Sequence, residues 1–504
     1  MRQILTAKEM RDIEKNAIDN WNIPSLVLME RAAFSVAEKI KNKFPKTASV
    51  CIVCGGGNNG ADGVAVARIL LEEEYRPELV VLADPKKFSD EMKYQLDLWK
   101  KLGCSYEKTV EKRHYDCIVD AILGIGLSRN ITKEGFLNAI ETINSSGAYI
   151  YSVDIPTGIN TDNGCIMGKA VKANETITFS YEKVGLCIFP GKEYAGKITV
   201  SKIGIPVSCI NSDLTGHYTI KEHLPKRLFK TYPDGNKGSY GKVLVIAGNE
   251  EISGAAVLCA KAAMKSGAGM VKVLSSKKTI EVIKTTLPEA MTAVLDKTDA
   301  ASEVIQDGIA WADCVIIGPG IGTDEEAYFK LYLVLDNFPE SKKLVIDADA
   351  INLLASHNEL KRMTEMVNDA IYTPHMMELA RLTDVDIQEL KNDLDTVMGN
   401  YAADKKGIYV CKDSVTRVYA FQKAVYINRL GNCGMATAGS GDVLAGIIGA
   451  MVAKRGTDIY EETILGVHLH SLAGDIAAQK YGKNGLMAGD MIDCLSDIWK
   501  MAED

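Results

Sequence analysis

Short apolar runs that end in glycine, asparagine or aspartate, and then turn at once into a helical pattern, recur along this chain. Val50 to Cys54 leads into Gly55-Gly56-Gly57-Asn58-Asn59-Gly60-Ala61-Asp62-Gly63, and Cys117 to Asp120 into Ala121-Ile122-Leu123-Gly124-Ile125-Gly126. Tyr149 to Val153 meets Asp154-Ile155-Pro156-Thr157-Gly158; Cys314 to Ile317 meets Gly318-Pro319-Gly320-Ile321-Gly322; Leu344 to Ile346 meets Asp347-Ala348-Asp349. These runs read as buried strands and the helical patterns as crossovers, so the expected fold class is α/β with parallel sheets. In such sheets ligands bind beyond the carboxyl ends of the strands, where these glycines, amides and acids collect. Thr6-Ala7-Lys8-Glu9 spells a capping box ahead of Met10, Ile13 and Ala17, and a second helix is expected from about Ser25 to Phe44.

The rhythm lapses after Ile205-Pro206, where Val207 to His217 is short and polar, and restarts near Asn236. Two domains are therefore expected, 1–213 and 214–504. Lys and Arg number 58 against 66 Asp and Glu, a net charge of -8 that argues against nucleic acid or an anionic membrane and favours small-molecule partners. No 18 uncharged apolar residues run together and no signal-peptide core opens the sequence, so a cytoplasmic protein is expected. Twelve irregularly spaced cysteines suit reduced, buried thiols. Cys51 and Cys54 have CxxC spacing, but residues three apart in a strand face opposite ways, which argues against a redox or metal role.

Asn428 to Gly449 holds the most unusual turn. Gly439-Ser440-Gly441-Asp442 runs directly into Val443, Leu444, Ile447, Ile448 and Met451 at helical spacing. A glycine turn at a helix N-terminus attracts anions, through free N–H groups and the positive end of the helix dipole. A carboxylate there repels phosphate unless it takes a proton, holds a metal or faces a second substrate. Asp442 thus reads as a general base beside a bound phosphate, although alone it would read as a cap. The first glycine-rich turn opens like a dinucleotide-binding unit but misses GxGxxG; Asn58, Asn59 and Asp62 offer oxygens to a cation or hydroxyls. Asp120 and Asp154, turn residues if taken singly, add acids at the same sheet edge. His375, straight after a strand and Pro374, reads as a pocket residue over a core histidine, and His468 and His470 as structural.

GGGNNGADG, VDAILGIG and SVDIPTGIN resemble the N-terminal domain of the YjeF family, the NAD(P)H-hydrate epimerases, over residues 1–213. That resemblance implies a Rossmann-like three-layer domain. It also implies a hydrate pocket lined by Asn58, Asn59, Gly60, Ala61, Asp62, Gly124, Ile125, Gly126, Leu127, Ser128, Arg129, Asn130 and Asp154, and a potassium ion on Asn59, Asp120 and Thr157. Ala61 stands where that family usually has glycine, and Thr157 where it has serine. YGKVLVIAG, GPGIG, DADAIN, TPH and GNCGMATAGSGDVLAGI resemble, over 214–504, the ADP- or ATP-dependent NAD(P)H-hydrate dehydratases of ribokinase-like α/β fold. Hydrate contacts are implied at Ala255, Gly322, His375 and Asp442, and adenine-nucleotide contacts at Lys412, Asp413, Ser414, Val415, Thr416 and Gly441. Met376-Met377-Glu378 replaces the usual Pro-Gly-Glu, and Lys412-Asp413 the usual Lys-Gly, which adds a negative charge beside the nucleotide.

The substrates so implied are NADHX and NADPHX, hydrated forms of NADH and NADPH, together with ADP and Mg²⁺. The first domain is expected to interconvert the R and S epimers, with Asp154 shuttling a proton. The second is expected to dehydrate the S form while ADP becomes AMP and phosphate, with Asp442 as base. A homo-oligomer is expected. The rival is a small-molecule kinase of the ribokinase-like superfamily whose N-terminal domain only binds.

Overall fold

The computed structural model describes residues 2–209, 216–220, 234–295, 300–336, 338–454 and 458–501. The chain divides into two compact units, Gln3–His217, and Tyr218–Asp504 with the first two residues. The expected boundary at 213 lies outside the described residues.

In the first unit β1 (Arg2–Leu5) pairs in parallel with β7 (Glu182–Lys183), Leu5 opposite Lys183. The main sheet holds β2 (Val50–Cys54), β3 (Glu78–Val81), β4 (Cys117–Ala121), β5 (Tyr149–Val153), β6 (Glu175–Phe179) and β8 (Lys197–Ser201). Its order is β3-β2-β4-β5-β6-β8 and every pairing is parallel. Alternation along β2 makes the layers: Ile52 and Cys54 pack with Leu28, Ala33, Val64 and Leu70 on one face, Cys51 and Val53 with Ile140 and Ile143 on the other. Cys51 and Cys54 thus sit in opposite cores. Burial pushes Cys51 up to about 12 and Cys54 well above its usual range, so both stay thiols.

Strands β6 and β8 carry no apolar run. Strand β6 is buried with its polar groups paired, while β8 stays partly exposed: Glu175 accepts from Thr199 Oγ1 at 2.6 Å and pairs with Lys39 at 3.0 Å, and Thr176 Oγ1 donates to Ala195 O at 2.7 Å. The helix after β2 starts at Asn58, earlier than its apolar pattern. Gly60 allows this, because a Cβ there would lie 2.3 Å from Gly55 O.

A short strand, β9 (His217–Thr219), falls at the division between the units. The second unit adds β10 (Lys242–Ile246), β11 (Met270–Ser275), β12 (Met291–Val294), β13 (Cys314–Ile317), β14 (Lys343–Ile346), β15 (Ala370–Tyr372), β16 (Ile408–Cys411), β17 (Arg417–Ala420) and β18 (Val425–Ile427). The order β12-β11-β10-β13-β14-β15-β16 is parallel throughout, and β17 and β18 extend it antiparallel. Leu244 and Ile246 enter one core, Val243 and Val245 the other. The helix Ser440–Val452 is buried at every position from Val443 onward, with Gly446 so close that a Cβ would meet Cys259 O at 2.2 Å. Burying Val443, Leu444, Ile447 and Ile448 contributes roughly 2 kcal/mol apiece, which holds the turn ahead of the helix in place. Among the described residues no helix is long and apolar enough to cross a membrane.

Candidate active sites

At the carboxyl edge of the first sheet lies a cavity of about 1110 Å³. Asn58, Asn59 and Asp62 line it from the helix after β2, Gly124 to Asn130 from the loop after β4, and Asp154 from the end of β5. Asp154 sits at φ +65°, a left-handed conformation that aspartate tolerates. Its Oδ1 accepts from Thr178 Oγ1 at 3.1 Å and Phe179 N at 3.1 Å, and pairs with the ammonium of Lys183. That lysine is fully buried; its Nζ also donates to Thr178 Oγ1 at 2.9 Å and Phe179 O at 3.0 Å. Two further carboxyls face the same space. Burial, reinforced by Asp154, pushes Glu14 up to about 7, and burial with Asp154 and Glu14 pushes Asp62 well above the usual carboxylate range.

Behind the cavity wall Asp120 is fully buried. Its carboxylate accepts from Ser152 Oγ at 2.8 Å, Thr157 N at 2.8 Å and Thr157 Oγ1 at 2.6 Å, and Thr157 Oγ1 in turn accepts from Leu123 N at 3.0 Å. Burial raises Asp120, hydrogen bonds from Thr157 oppose it, and no cation contributes. The Asn59 amide lies against Gly124, where a Cβ would approach it to 3.1 Å, and its Nδ2 is buried without a partner among the described residues. An uncompensated carboxylate, a hydroxyl and an unpaired amide suit a monovalent cation, with the amide turned to present oxygen. Gly60 and Ala61, expected in the pocket wall, are instead buried on the inner side of the helix and do not line the cavity.

In the second unit the Gly439-Ser440-Gly441-Asp442 turn meets the ends of β14, β15 and β16. Gly439 has φ +87°, the left-handed region that favours glycine, and a Cβ on it would stand 2.4 Å from Leu258 Cδ1, so a larger residue would strain the turn and displace that side chain. By helix geometry the N–H groups of Gly441 and Asp442 have no intrahelical partner. Lys412, at the end of β16, reaches this turn; a Cβ on Gly441 would lie 3.3 Å from its Nζ. The same Nζ donates to Asp347 Oδ1 at 2.8 Å, which also accepts from Thr373 Oγ1 at 2.7 Å. Burial pushes Asp442 up to about 7, Asp347 and Asp349 push the same way, and Lys412 opposes them. Ser440 O is held by the buried His470, whose Nε2 is 3.1 Å away; burial lowers that ring to about 4, so it is neutral and must donate to the carbonyl.

The remaining expected contacts surround this point. His375 caps the helix Met376–Thr383, its Nδ1 accepting from Met377 N at 3.1 Å and Glu378 N at 3.2 Å. The ring is half exposed, with Nε2 3.3 Å from Glu378 Oε1, and burial with nearby Lys412 lowers it. Burial raises Glu378 to about 7. Met376 packs into the core and Met377 is exposed, so their departure from Pro-Gly leaves the cap intact. Lys412 N donates to Pro374 O at 2.8 Å, joining β15 to β16. Gly322 N donates to Asp349 Oδ2 at 2.9 Å, and Ala255 lies where a Cβ on Gly320 would touch it at 3.1 Å. Between Asp347 and Asp349, Ala348 has φ +48°, a strained conformation for alanine that sets both acids at the strand end. Asp413 and Ser414 stand in solvent, Val415 is buried and Thr416 partly so, its O accepting from Asn428 N at 2.9 Å.

Comparison with known proteins fits this division. Residues 243–496 match the family described as NAD(P)H-hydrate dehydratase, and residues 25–185 the YjeF-related protein N-terminus. The bifunctional NAD(P)H-hydrate repair enzyme Nnr of Moorella thermoacetica is 33% identical over 529 residues, covering 99% of this chain and 97% of its own. The chain belongs to the bifunctional NAD(P)H-hydrate repair enzymes. The Escherichia coli member of that family is 31% identical over 494 residues, covering 98% of this chain and 93% of its own. Among solved structures, a ribokinase-like superfamily protein of Enterococcus faecalis aligns with TM-score 0.50 at 29% identity, over 57% of this chain and 96% of that one. A hypothetic protein from Streptococcus mutans aligns at 0.51 and 29%, over 57% and 100%. As in the repair enzymes, both halves are present, and the second is ribokinase-like.

Five groups at these sites went unassigned in the sequence. Asp347 follows a strand end directly and Asp349 opens the helix behind it, so the strand-end rule could have assigned them; Glu378 sits in the first turn of the helix capped by His375, where the capping box was the available signal. His470 was read as structural, and its bond to Ser440 makes it a support of the turn. Glu14 and Lys183 carry no local signal, since only tertiary packing brings them to the cavity.

Proposed function

We propose that this chain repairs hydrated NADH and NADPH in two steps, the first unit interconverting the R and S epimers and the second dehydrating the S form with ADP. The observation that carries the second step is the Asp442 carboxyl, raised to about 7 at a glycine turn reached by Lys412. A base with that affinity is half ionised near neutrality and suits removal of a proton from an alcohol. Asp442 takes the hydroxyl proton; the freed oxygen bonds to the terminal phosphoryl of ADP as the bond to AMP breaks. The 439 to 441 turn and Lys412 hold the transferred charge. Phosphate then leaves as the ring nitrogen supplies its electron pair, the adjacent carbon sheds a proton, and the reduced nicotinamide is restored.

Among the described residues no cluster of three His, Cys, Asp or Glu forms a metal cage. Mg²⁺ would arrive with the nucleotide, and Asp347 and Asp349 at the strand end would be available to hold it. Bound there, Mg²⁺ would offset phosphate charge. In the first unit Asn59, Asp120 and Thr157 would hold K⁺, which would compensate the buried Asp120 charge and stiffen the loop after β4.

Incubating the protein with mixed NADHX epimers and ADP, and following the absorbance of NADH, tests the whole reading. Complete conversion of both epimers with release of phosphate is expected. Conversion of one epimer only would refute the first step, and accumulation of a stable phosphorylated product would mark a small-molecule kinase instead.

A further inference from the structure

Glu14 lies on the helix Ala7–Asp19, outside every glycine-rich turn, yet it lines the same cavity as Asp154. Its position is fixed. Thr6 and Glu9 close a capping box, with Glu9 N to Thr6 Oγ1 at 3.2 Å and Thr6 N to Glu9 Oε2 at 2.8 Å. Ala7 N donates to Asp162 Oδ1 at 2.6 Å and Asn16 Nδ2 to Cys209 O at 2.7 Å, which tie down both ends. Met10 and Ile13 pack with Leu5 against Ile125, Tyr181 and Ile205, so the helix lies over the loop after β4.

We propose that Glu14 is a second catalytic residue of the epimerase unit, the general acid that works opposite Asp154. This rests on the epimerase reading above. Turning over a carbon that bears a hydroxyl and a ring nitrogen needs one group to take a proton and another to give one. Asp154 takes the hydroxyl proton, the oxygen pair becomes a carbonyl, and the carbon–nitrogen bond breaks toward nitrogen, which takes the Glu14 proton. After rotation the nitrogen bonds to the other face of the carbonyl and returns its proton to Glu14, while Asp154 returns the first; nothing is consumed. The two carboxyls have unlike surroundings, as this division of labour requires. Asp154 faces buried Lys183, with Thr178 and Phe179 bonded to the same oxygen. Glu14 faces Asp154 and Asp62, Lys183 and Arg11 of its own helix oppose them, and burial holds its proton up to about 7.

Glu14→Gln in the full chain, assayed for R-to-S conversion by chromatography, tests this. Expected are a fall in kcat of about 100-fold with KM little changed, loss of the wild-type decline in rate above about pH 7, and partial rescue by Glu14→Asp. Dehydration of pure S-NADHX serves as the folding control. If Glu14→Gln keeps kcat within three-fold or keeps the alkaline decline while wild type epimerises, Glu14 is not the acid. If wild type itself does not epimerise, the reading beneath this fails.

Discussion

Each unit sets a carboxylate at the rim of its sheet, and the two are treated in opposite ways. Asp154 is given a buried counter-charge in Lys183 and two further donors on one oxygen. Asp442 is given a second acid, Asp347, which has already claimed the nearest ammonium. The first arrangement compensates charge before substrate arrives; the second leaves a carboxyl that ionises only near neutrality, beside a turn built for anions. The contrast teaches that a carboxylate at a strand or helix end is not one device, and that its partners decide whether it acts with a companion acid or as a lone base.

The largest effects should separate the two sites. Asp442→Asn is expected to lower the ADP-dependent recovery of NADH by about 1,000-fold, with epimerisation unchanged; Asp154→Asn should do the reverse, as general acid–base groups contribute 10²–10⁴. A variant that lowered both activities alike would erase the distinction. Lys183→Met strips Asp154 of its counter-charge and should cost about 3 kcal/mol in urea unfolding, as breaking one side of a buried pair does.

Asp442 should respond the other way to neutralisation. Its native carboxyl keeps a proton up to about 7, whereas an unfolded aspartate releases it near about 4. Between those values the native state binds more protons, so this group's contribution to stability falls as pH rises. Asp442→Asn should therefore stabilise the fold above neutrality by about 1 kcal/mol while abolishing turnover. The smallest expected effect is that of potassium on the first unit. Exchanging K⁺ for choline should lower its melting temperature by one or two degrees, about 0.4 kcal/mol when K⁺ had been present at its Kd, and leave dehydration intact.

Much of this was legible in the chain. Val50–Cys54 and Cys314–Ile317 are apolar because both faces of a parallel strand are covered, and Asp154 and Asp442 stand out because an acid interrupts a glycine turn. Glu175–Phe179 and the partly exposed Lys197–Ser201 were not legible, since the polar residues of the first are buried against partners such as Lys39 and Ala195, and the second is held as its neighbour, which no local pattern reveals. The start of the helix at Asn58 was missed because polar residues fill its first turns, and it puts Gly60 and Ala61 on the buried side of that helix. Lys183 and Glu14 could not be found at all. A lysine after a strand and a glutamate on an amphipathic helix are ordinary surface residues until Ile125 and Tyr181 draw the first helix over the cavity.

The most direct test is the pH dependence of both activities on one preparation. Dehydration of S-NADHX should rise with pH through about 7 as Asp442 ionises, and epimerisation should fall through the same range as Glu14 loses its proton. Opposite limbs crossing near neutrality are the expected result. Two profiles that rise or fall together, or a dehydration rate that stays flat from pH 5 to 9, would contradict it.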